Sequence, residues 1–335
     1  MIRKNLFIVI IFILAVNAGV YAQNTQNAQE LRVGTFINGS LKGGNEITYI
    51  VRPAQAGFLT VETSGSLDTF LEAYDDQQRI IAKNDDGGEG YNAKVDIVVA
   101  AGRVYYFVLS GYDEDTSGPF RIIASIRPMP SPTPIRANVQ QSGTINRGED
   151  QWFSFRAEQN GYLVVETTGG TDTYLEAFDQ SWILLAEDDD GGSDNNARIE
   201  LIAGRGKTFN FRLRGYDNAT SGPFNITASI RNLPAPTTLT TGTFHSGNIA
   251  SGEDYWFRVQ TGSRGRLIVE TSGSTDTYLE VYNDSYELLD SDDDGGEGGN
   301  ARIEVSAERN RVFIFRLRGF SSTTSGPYRL FASME

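Results

Sequence analysis

Carboxylates and amide oxygens recur in one pattern three times along the chain. In the middle copy Asp172 opens the run Asp172-Thr173-Tyr174-Leu175-Glu176, an acidic turn Asp188-Asp189-Asp190-Gly191-Gly192 follows, and Asn196 stands behind it with Asp194 between. The first copy supplies Asp68, Asp85, Asp86 and Asn92, and the third Asp276, Asp292, Asp293, Asp294 and Asn300. The opening aspartates lie 104 residues apart (172 − 68 and 276 − 172), and the turns keep that register. All of these groups are hard oxygen donors, and calcium takes about six to eight of them, so Ca2+ is the ion they would suit. Two carboxylates about 6 Å apart in water repel by roughly 0.7 kcal/mol before screening, and a cation would remove that repulsion. A plainer reading uses the same residues as an exposed turn whose Asp side chains cap backbone amides, with salt screening the charges. Both readings stand on the sequence. The spacing does not fit the EF-hand loop, which needs a glutamate at its last position. Asn84 replaces Asp188 and Asp292 in the first copy, so on the ion reading that copy is expected to bind most weakly.

Other chemistries find little support. The chain has one histidine, His245, and no cysteine, so a two-histidine zinc helix and a thiol nucleophile are both ruled out. No Gly-x-Ser-x-Gly elbow or phosphate-binding glycine loop occurs. Glu72, Glu176 and Glu280 could imitate half of a glycosidase carboxylate pair, but they read more simply as solvent-facing strand residues beside Arg or Lys. Arg198, Arg302 and Lys94 are expected to pair across the surface with Glu200, Glu304 and Asp96. Trp152 and Trp256 read as core, while Trp182 and Tyr286, just ahead of the acidic turns, read as surface candidates, with Tyr216 as a further platform residue. A catalytic role is not expected.

The elements that position these residues follow from composition and period. Arg3 and Lys4, the apolar run Leu6 to Val16 and the small residues at Val20-Tyr21-Ala22 read as a secretory signal peptide, 1–22. Its apolar core is shorter than the roughly 18 residues of a membrane span, and no later stretch is long enough, so the mature chain is expected to be exported, whether secreted, periplasmic or at the cell surface, without a span. With no cysteine at the cleavage site, lipid attachment there is not expected. The full chain has 29 basic and 43 acidic residues; without Arg3 and Lys4 the balance is 27 against 43, or −16. That charge argues against nucleic acid and anionic membrane as partners.

A repeat of about a hundred residues is domain-sized, and too long for a solenoid unit of roughly 20 to 50 residues. Within a copy the apolar period is two: Phe209, Phe211 and Leu213 alternate with polar neighbours, as do Ala197, Ile199 and Leu201. Seven or so such strands per copy, without a helical pattern, predict an all-β chain of three tandem antiparallel β-sandwich (jelly-roll-like) domains at 31–127, 136–231 and 240–335. Pro128 to Pro134 and Leu233 to Thr238 are proline-rich and read as short, semi-rigid linkers that cannot continue a sheet. They are expected to hold the domains as beads of limited freedom, behind a flexible leader from Gln23 to about Glu30.

Several motifs recur in order in each copy: Gly148-Glu149-Asp150-Gln151-Trp152-Phe153-Ser154-Phe155, the Asp172-Thr173-Tyr174-Leu175 strand, the Asp-Asp-Gly-Gly turn, and a late aromatic strand ending at Gly215-Tyr216. Over about residues 32 to 335 the chain resembles the bacterial pre-peptidase C-terminal domain, a β-sandwich related to the collagen-binding domains of clostridial collagenases. The resemblance implies an accessory domain that helps targeting, secretion or binding to extracellular polymers, here as an array with no peptidase ahead of it. It departs from the family at Ile47, Gln151 and Tyr255, where an Asp often precedes the first aromatic strand, and its linkers are not acidic. Collagen binding is therefore not carried over. The expected function is an exported, non-catalytic protein that engages an extracellular or envelope polymer, protein or glycan, through several linked sites. The alternative is a calcium-stabilised structural protein of the envelope.

Overall fold

The computed structural model describes residues 28–335; the expected signal peptide at 1–22 lies outside them. The described residues fold as three sandwich-like units without helix. In the first unit the strands are β1 (Gln29–Glu30), β2 (Phe36–Leu41), β3 (Ile47–Val51), β4 (Gly57–Ser64), β5 (Thr69–Tyr74), β6 (Ile80–Asn84), β7 (Lys94–Val99), β8 (Tyr105–Gly111) and β9 (Gly118–Arg127). One sheet has the order β1-β3-β8-β5-β6 and the other β2-β9-β4-β7. The same order repeats from β10 (Thr133–Pro134) to β18 (Gly222–Arg231) and from β19 (Thr237–Thr238) to β27 (Gly326–Met334). All pairings are antiparallel except those of the short first strands.

The period-two alternation places one face of each strand between the sheets. In the middle unit Phe153, Phe155, Leu163, Val165, Leu175, Ala177, Ile199, Phe211, Leu213 and Ile226 form a single buried core, and the outer units have matching cores. Burial of such side chains contributes about 1.5–3 kcal/mol each, so each unit holds together without a disulfide.

Where the chain crosses from one sheet to the other, a buried pair of threonines ties the two layers. Thr167, in the strand Gly161–Thr168, and Thr173, in the strand Thr173–Phe178, place their hydroxyl oxygens 2.6 Å apart. The Ala197 N–H donates to both oxygens, at 3.0 and 3.1 Å, and Thr167 donates back to the Ala197 carbonyl at 3.3 Å. The hydroxyl pair recurs at the same 2.6 Å in Thr63–Thr69 and Thr271–Thr277. Sequence reading singled out the aspartate of each Asp-Thr step, but the threonine beside it is the fully buried member.

Two expectations change. The proline-rich segments, expected as semi-rigid linkers that cannot continue a sheet, do continue one: Thr133–Pro134 pairs in parallel with Phe153–Ser154, and Thr237–Thr238 with Phe257–Arg258. Pro134 is tolerated because the strand lies on the sheet edge, where one side of the backbone needs no donor. Gln29–Glu30, expected within the flexible leader, pairs likewise with Tyr49–Ile50. Nor are the units separate beads. Phe58, Trp152 and Phe178 form one buried cluster spanning units 1 and 2, and Tyr162, Trp256, Tyr282 and Ile314 another spanning units 2 and 3. Trp152 and Trp256, expected in the cores, belong to these junctions instead.

Removing the Thr173 hydroxyl takes away the Thr167–Thr173 bond and one of the two acceptors of the Ala197 N–H, which keeps Thr167. Thr173→Val is expected to lower stability to urea by about 0.5–1.5 kcal/mol, while Thr173→Ser keeps most of it. Wild-type stability in Thr173→Val with loss only in Thr173→Ser would show that the methyl group, not the hydroxyl, matters.

Candidate functional site

The first acid of each turn is a backbone cap. Asp188 Oδ2 accepts from the N–H groups of Gly191 and Arg198 at 2.8 and 2.7 Å, and Asp292 does the same for Gly295 and Arg302. Asn84 Oδ1 accepts from Gly87 and Lys94 at 2.5 and 3.3 Å. An amide oxygen therefore fills the same place, and Asn84 does not impoverish the first copy in this role. The two glycines are required by close approach. A Cβ on Gly191 would lie 2.7 Å from the Asp188 carboxylate, and one on Gly192 would lie 2.5 Å from the Asn196 carbonyl oxygen.

The asparagine behind each turn ties two loops together. Asn196 Nδ2 donates to the carbonyls of Gly169 and Ser193 at 3.1 and 2.9 Å. Asn92 bonds Gly65 and Glu89, and Asn300 bonds Gly273 and Glu297, in the same way. These three side chains are only 5%, 2% and 5% exposed in chain order, yet the Oδ1 of each has no hydrogen-bond donor. Asp68 Oδ1 and Asp172 Oδ1 are also buried without a donor, although Asn195 Nδ2 reaches Asp172 Oδ2 at 3.2 Å. The second and third acids behave differently: Asp85, Asp189 and Asp293 are half-buried, and Asp86, Asp190 and Asp294 are exposed, as is Asp194. Among the described residues, no three His, Asp or Glu side chains are placed to hold one ion. The fourteen candidate residues thus divide into caps, loop ties, the opening aspartates and the more open carboxylates of the turns.

Charge crowding shows in the titration of these groups. Burial, then Asp86, Asp85 and Asp113, push the Asp68 carboxyl above its ordinary value. Burial and Asp294 raise Asp276; burial, Asp294 and Asp292 raise Asp293. Asp188 is raised by burial against the opposing pull of its two amide donors. Asp113 and Asp217, by contrast, are lowered by the hydroxyls of Thr116 and Thr220 and by nearby backbone N–H groups.

Beside each opening aspartate stands an exposed aromatic ring that the sequence reading picked out only once, as Tyr216. Tyr112, Tyr216 and Phe320 are 62%, 54% and 44% exposed. Their backbone N–H groups donate to the carbonyls of Asp68, Asp172 and Asp276 at 3.2, 3.2 and 3.1 Å. The signal was present as an aromatic after glycine at 104-residue spacing.

Other expectations resolve at once. Arg198 lies 3.6 Å from Glu200, Arg302 2.5 Å from Glu304, and Lys94 3.9 Å from Asp96, all surface ion pairs. Glu176 and Glu280 stand beside Arg212 and Arg316 as expected, at 3.2 and 3.1 Å, but are largely buried instead of facing solvent. Trp182 and Tyr286 are not free surface rings: they pack on Trp152 and Trp256, with centroids 5.5 and 6.2 Å apart. His245 is half-buried against the Phe257 ring at 4.9 Å.

No protein-family model and no curated protein matches this chain. Among solved structures it is similar to the pre-peptidase C-terminal domain of a Bacillus anthracis collagenase, at 20% identity and TM-score 0.26, over 29% of this chain and 94% of that one. It is also similar to a chain of Sulfolobus turreted icosahedral virus, at 12% identity and TM-score 0.20, with 89% of each chain covered. A third is the M60 catalytic domain with the CBM51-1 and CBM51-2 domains of Clostridium perfringens ZmpB, at 8% identity and TM-score 0.23, over 88% of this chain and 34% of that one.

Two outcomes follow from the turn geometry. Asp188→Asn is expected to melt like the wild type, because Asn84 already caps one turn, whereas Asp188→Ala strands two amides and costs about 1–2 kcal/mol; equal melting of both would refute the cap. For the crowded acids, a carboxyl with a raised folded pKa loses stability as pH climbs from its unfolded value through its folded one. Acidifying from neutral down to the unfolded carboxyl value, about pH 4, should therefore raise the melting temperature of the wild type relative to an Asp68→Asn, Asp276→Asn, Asp293→Asn variant. Parallel melting curves for the two proteins would contradict the crowding.

Proposed function

We propose that the protein is an exported, non-catalytic array that binds a repetitive extracellular or envelope polymer through the loop ends of its three units. The observation that carries this reading is an exposed aromatic residue, Tyr112, Tyr216 or Phe320, whose backbone is tied in each copy to the carbonyl of the opening aspartate. An aromatic surface offers a large contact at low entropy cost, and the neighbouring open carboxylates accept hydrogen bonds from hydroxyls or amines. One such site is weak. Three on one chain make the second and third contacts intramolecular, so a polymer with repeating units gains affinity that a single unit lacks. The acidic balance disfavours polyanions, nucleic acid among them.

The test is co-sedimentation of the mature chain with purified insoluble cell-wall polymers and capture on an immobilised glycan panel. The triple variant Tyr112→Ala, Tyr216→Ala, Phe320→Ala is expected to lose at least about tenfold in retention, and each single variant much less. Retention of the triple variant at the wild-type level would sink the reading.

A second reading, calcium-stabilised units without a specific ligand, draws support from the donorless buried oxygens of Asp68, Asp172, Asn92, Asn196 and Asn300. These oxygens lie on loops tied to each other and close to open carboxylates, and water would complete the coordination of an ion held there. Calcium is expected to raise the melting temperature relative to chelator in the wild type but not in an Asp68→Asn, Asp172→Asn, Asp276→Asn variant. An identical melting temperature with and without calcium removes this reading.

A further inference from the structure

Between consecutive units the structure repeats one contact and then withholds it at both ends. At the junction of units 2 and 3, Tyr162 from unit 2 meets Trp256 of unit 3 edge to face, with centroids 6.1 Å apart. The Trp256 Nε1–H donates to the Tyr162 hydroxyl at 2.8 Å, and that hydroxyl donates to Asp254 Oδ2 at 2.8 Å. Arg316 completes the set, 2.7 Å from Asp254 and 3.1 Å from Glu280, with its guanidinium near both rings. On the other side Arg231 stacks on Tyr162 at 3.7 Å. Lys207 of unit 2 also forms an ion pair with Glu287 of unit 3, and Gly204 admits the Ser285 carbonyl where any side chain would collide.

The junction of units 1 and 2 uses the residues 104 positions earlier, with two interactions missing. Phe58 meets Trp152 edge to face at 5.5 Å, Arg127 stacks on Phe58 at 3.9 Å, and Arg212 pairs with Asp150 and Glu176 at 2.9 and 3.2 Å. Phe58 lacks the hydroxyl that Tyr162 supplies, and the buried Trp152 Nε1 accordingly has no acceptor. Arg103, at the place of Lys207, pairs within its own unit with Asp76 at 2.5 Å. A cleft of about 320 Å³ opens here, lined by Ile80 and Ile81 of unit 1 and Leu184 and Leu185 of unit 2.

At the outer ends the same positions carry other residues. Unit 1 has Thr48 for the tryptophan, Val108 for the arginine and Gln78 for Trp182 or Tyr286. Unit 3 has Arg266 for the phenylalanine or tyrosine and Glu335 for the stacking arginine, and these two bond to each other. Arg266 also pairs with Glu304 at 3.0 Å.

We propose that the ring of one unit and the Trp-Arg-Asp face of the next form a dedicated head-to-tail coupling surface, whose fitting partner is another unit of the same kind. The coupling locks units 2 and 3, leaves units 1 and 2 looser for want of the Tyr162 hydroxyl and the Lys207–Glu287 ion pair, and is closed at both ends by Thr48, Val108, Arg266 and Glu335. A head-to-tail contact does not close on itself, so units alike at both ends would extend into filaments. The substituted end units stop that growth, as capping repeats do in other arrays. The inference is independent of any ligand.

The absence of cysteine makes the test direct. Paired spin labels are introduced at the equivalent exposed loop positions, Glu114→Cys with Asn218→Cys for the first junction and Asn218→Cys with Ser322→Cys for the second. The second pair is expected to give a narrow distance distribution and the first one about twofold broader, since both junctions have an apolar cluster but only the second adds hydrogen bonds and an ion pair against relative motion of the units. Phe58→Tyr, which restores the missing hydroxyl, should narrow the first; Tyr162→Phe should broaden the second toward it. Equal widths at both junctions, or widths indifferent to these two substitutions, overturn the coupling. Sedimentation of the wild type as a monomer at all accessible concentrations supports the closed ends, and concentration-dependent end-to-end growth overturns them.

Discussion

Each unit depends on a threonine hydroxyl pair that fastens two sheets where no backbone ladder can. A β-sandwich has hydrogen bonds within each sheet but only side-chain packing between them, so the layers are free to slip unless something directional joins them. Thr167 and Thr173 stand on opposite sheets, and both address the backbone N–H of Ala197. Ala197 follows Asn196, which in turn bonds the carbonyls of Gly169 and Ser193. Core, sheet crossing and acidic loop are thereby one connected network. A residue inserted anywhere between Asp172 and Ala197 would move a buried donor away from its acceptors, and that is a physical reason for the unbroken 104-residue register of this segment.

The network also explains which parts were legible in the sequence. Alternation at Phe209, Phe211 and Leu213 announced a strand because burial on one face imposes that period directly. The turn was legible because Gly191 and Gly192 admit only a backbone packed too closely for a Cβ. The role of each acid within it was not, since an aspartate that caps two amides and one that faces solvent look alike in a string of letters. Composition also misled for the linkers: proline density suggested semi-rigid spacers unable to continue a sheet, but Thr133–Pro134 needs donors on one side only and so lies down on an edge. Trp152 and Trp256 read as core because a tryptophan at the head of a strand is usually buried within its own unit. The distinguishing signal lay in comparing copies, where Thr48 occupies the same position in the one unit that has no predecessor among the three.

Burial of charge at the junctions follows a different logic from burial in the cores. Arg316 and Glu280 are both buried, and such a pair has a desolvation cost that its Coulomb attraction roughly offsets. Its net contribution to stability is therefore small. What it does supply is direction: Asp254, fixed by Arg316, accepts the Tyr162 hydroxyl in one orientation only, with the guanidinium beside the ring, whereas an apolar patch would tolerate many. The apolar area comes from Tyr162, Trp256, Tyr282 and Ile314, and the charged residues determine how that area is presented.

Tandem duplication creates a hazard that these differences between copies remove. Identical units joined head to tail carry one unused face at each end, and those faces fit each other. The chain is acidic, but net charge alone screens poorly at physiological salt, where the Debye length is about 8 Å, so repulsion is a weak barrier to a contact built on tryptophan and arginine. Replacing the ring by Arg266 is a stronger one. It sets a guanidinium where Arg316 or Arg212 would approach from a following unit, and it engages that charge with Glu304 and Glu335, so that breaking the pairs would be needed before any contact formed. At the opposite end Thr48 and Val108 remove the tryptophan and the arginine together, which leaves neither area nor direction for a preceding unit. The ends therefore differ in mechanism, one blocked by paired charge and the other by missing surface, and the middle unit alone retains both halves of the coupling.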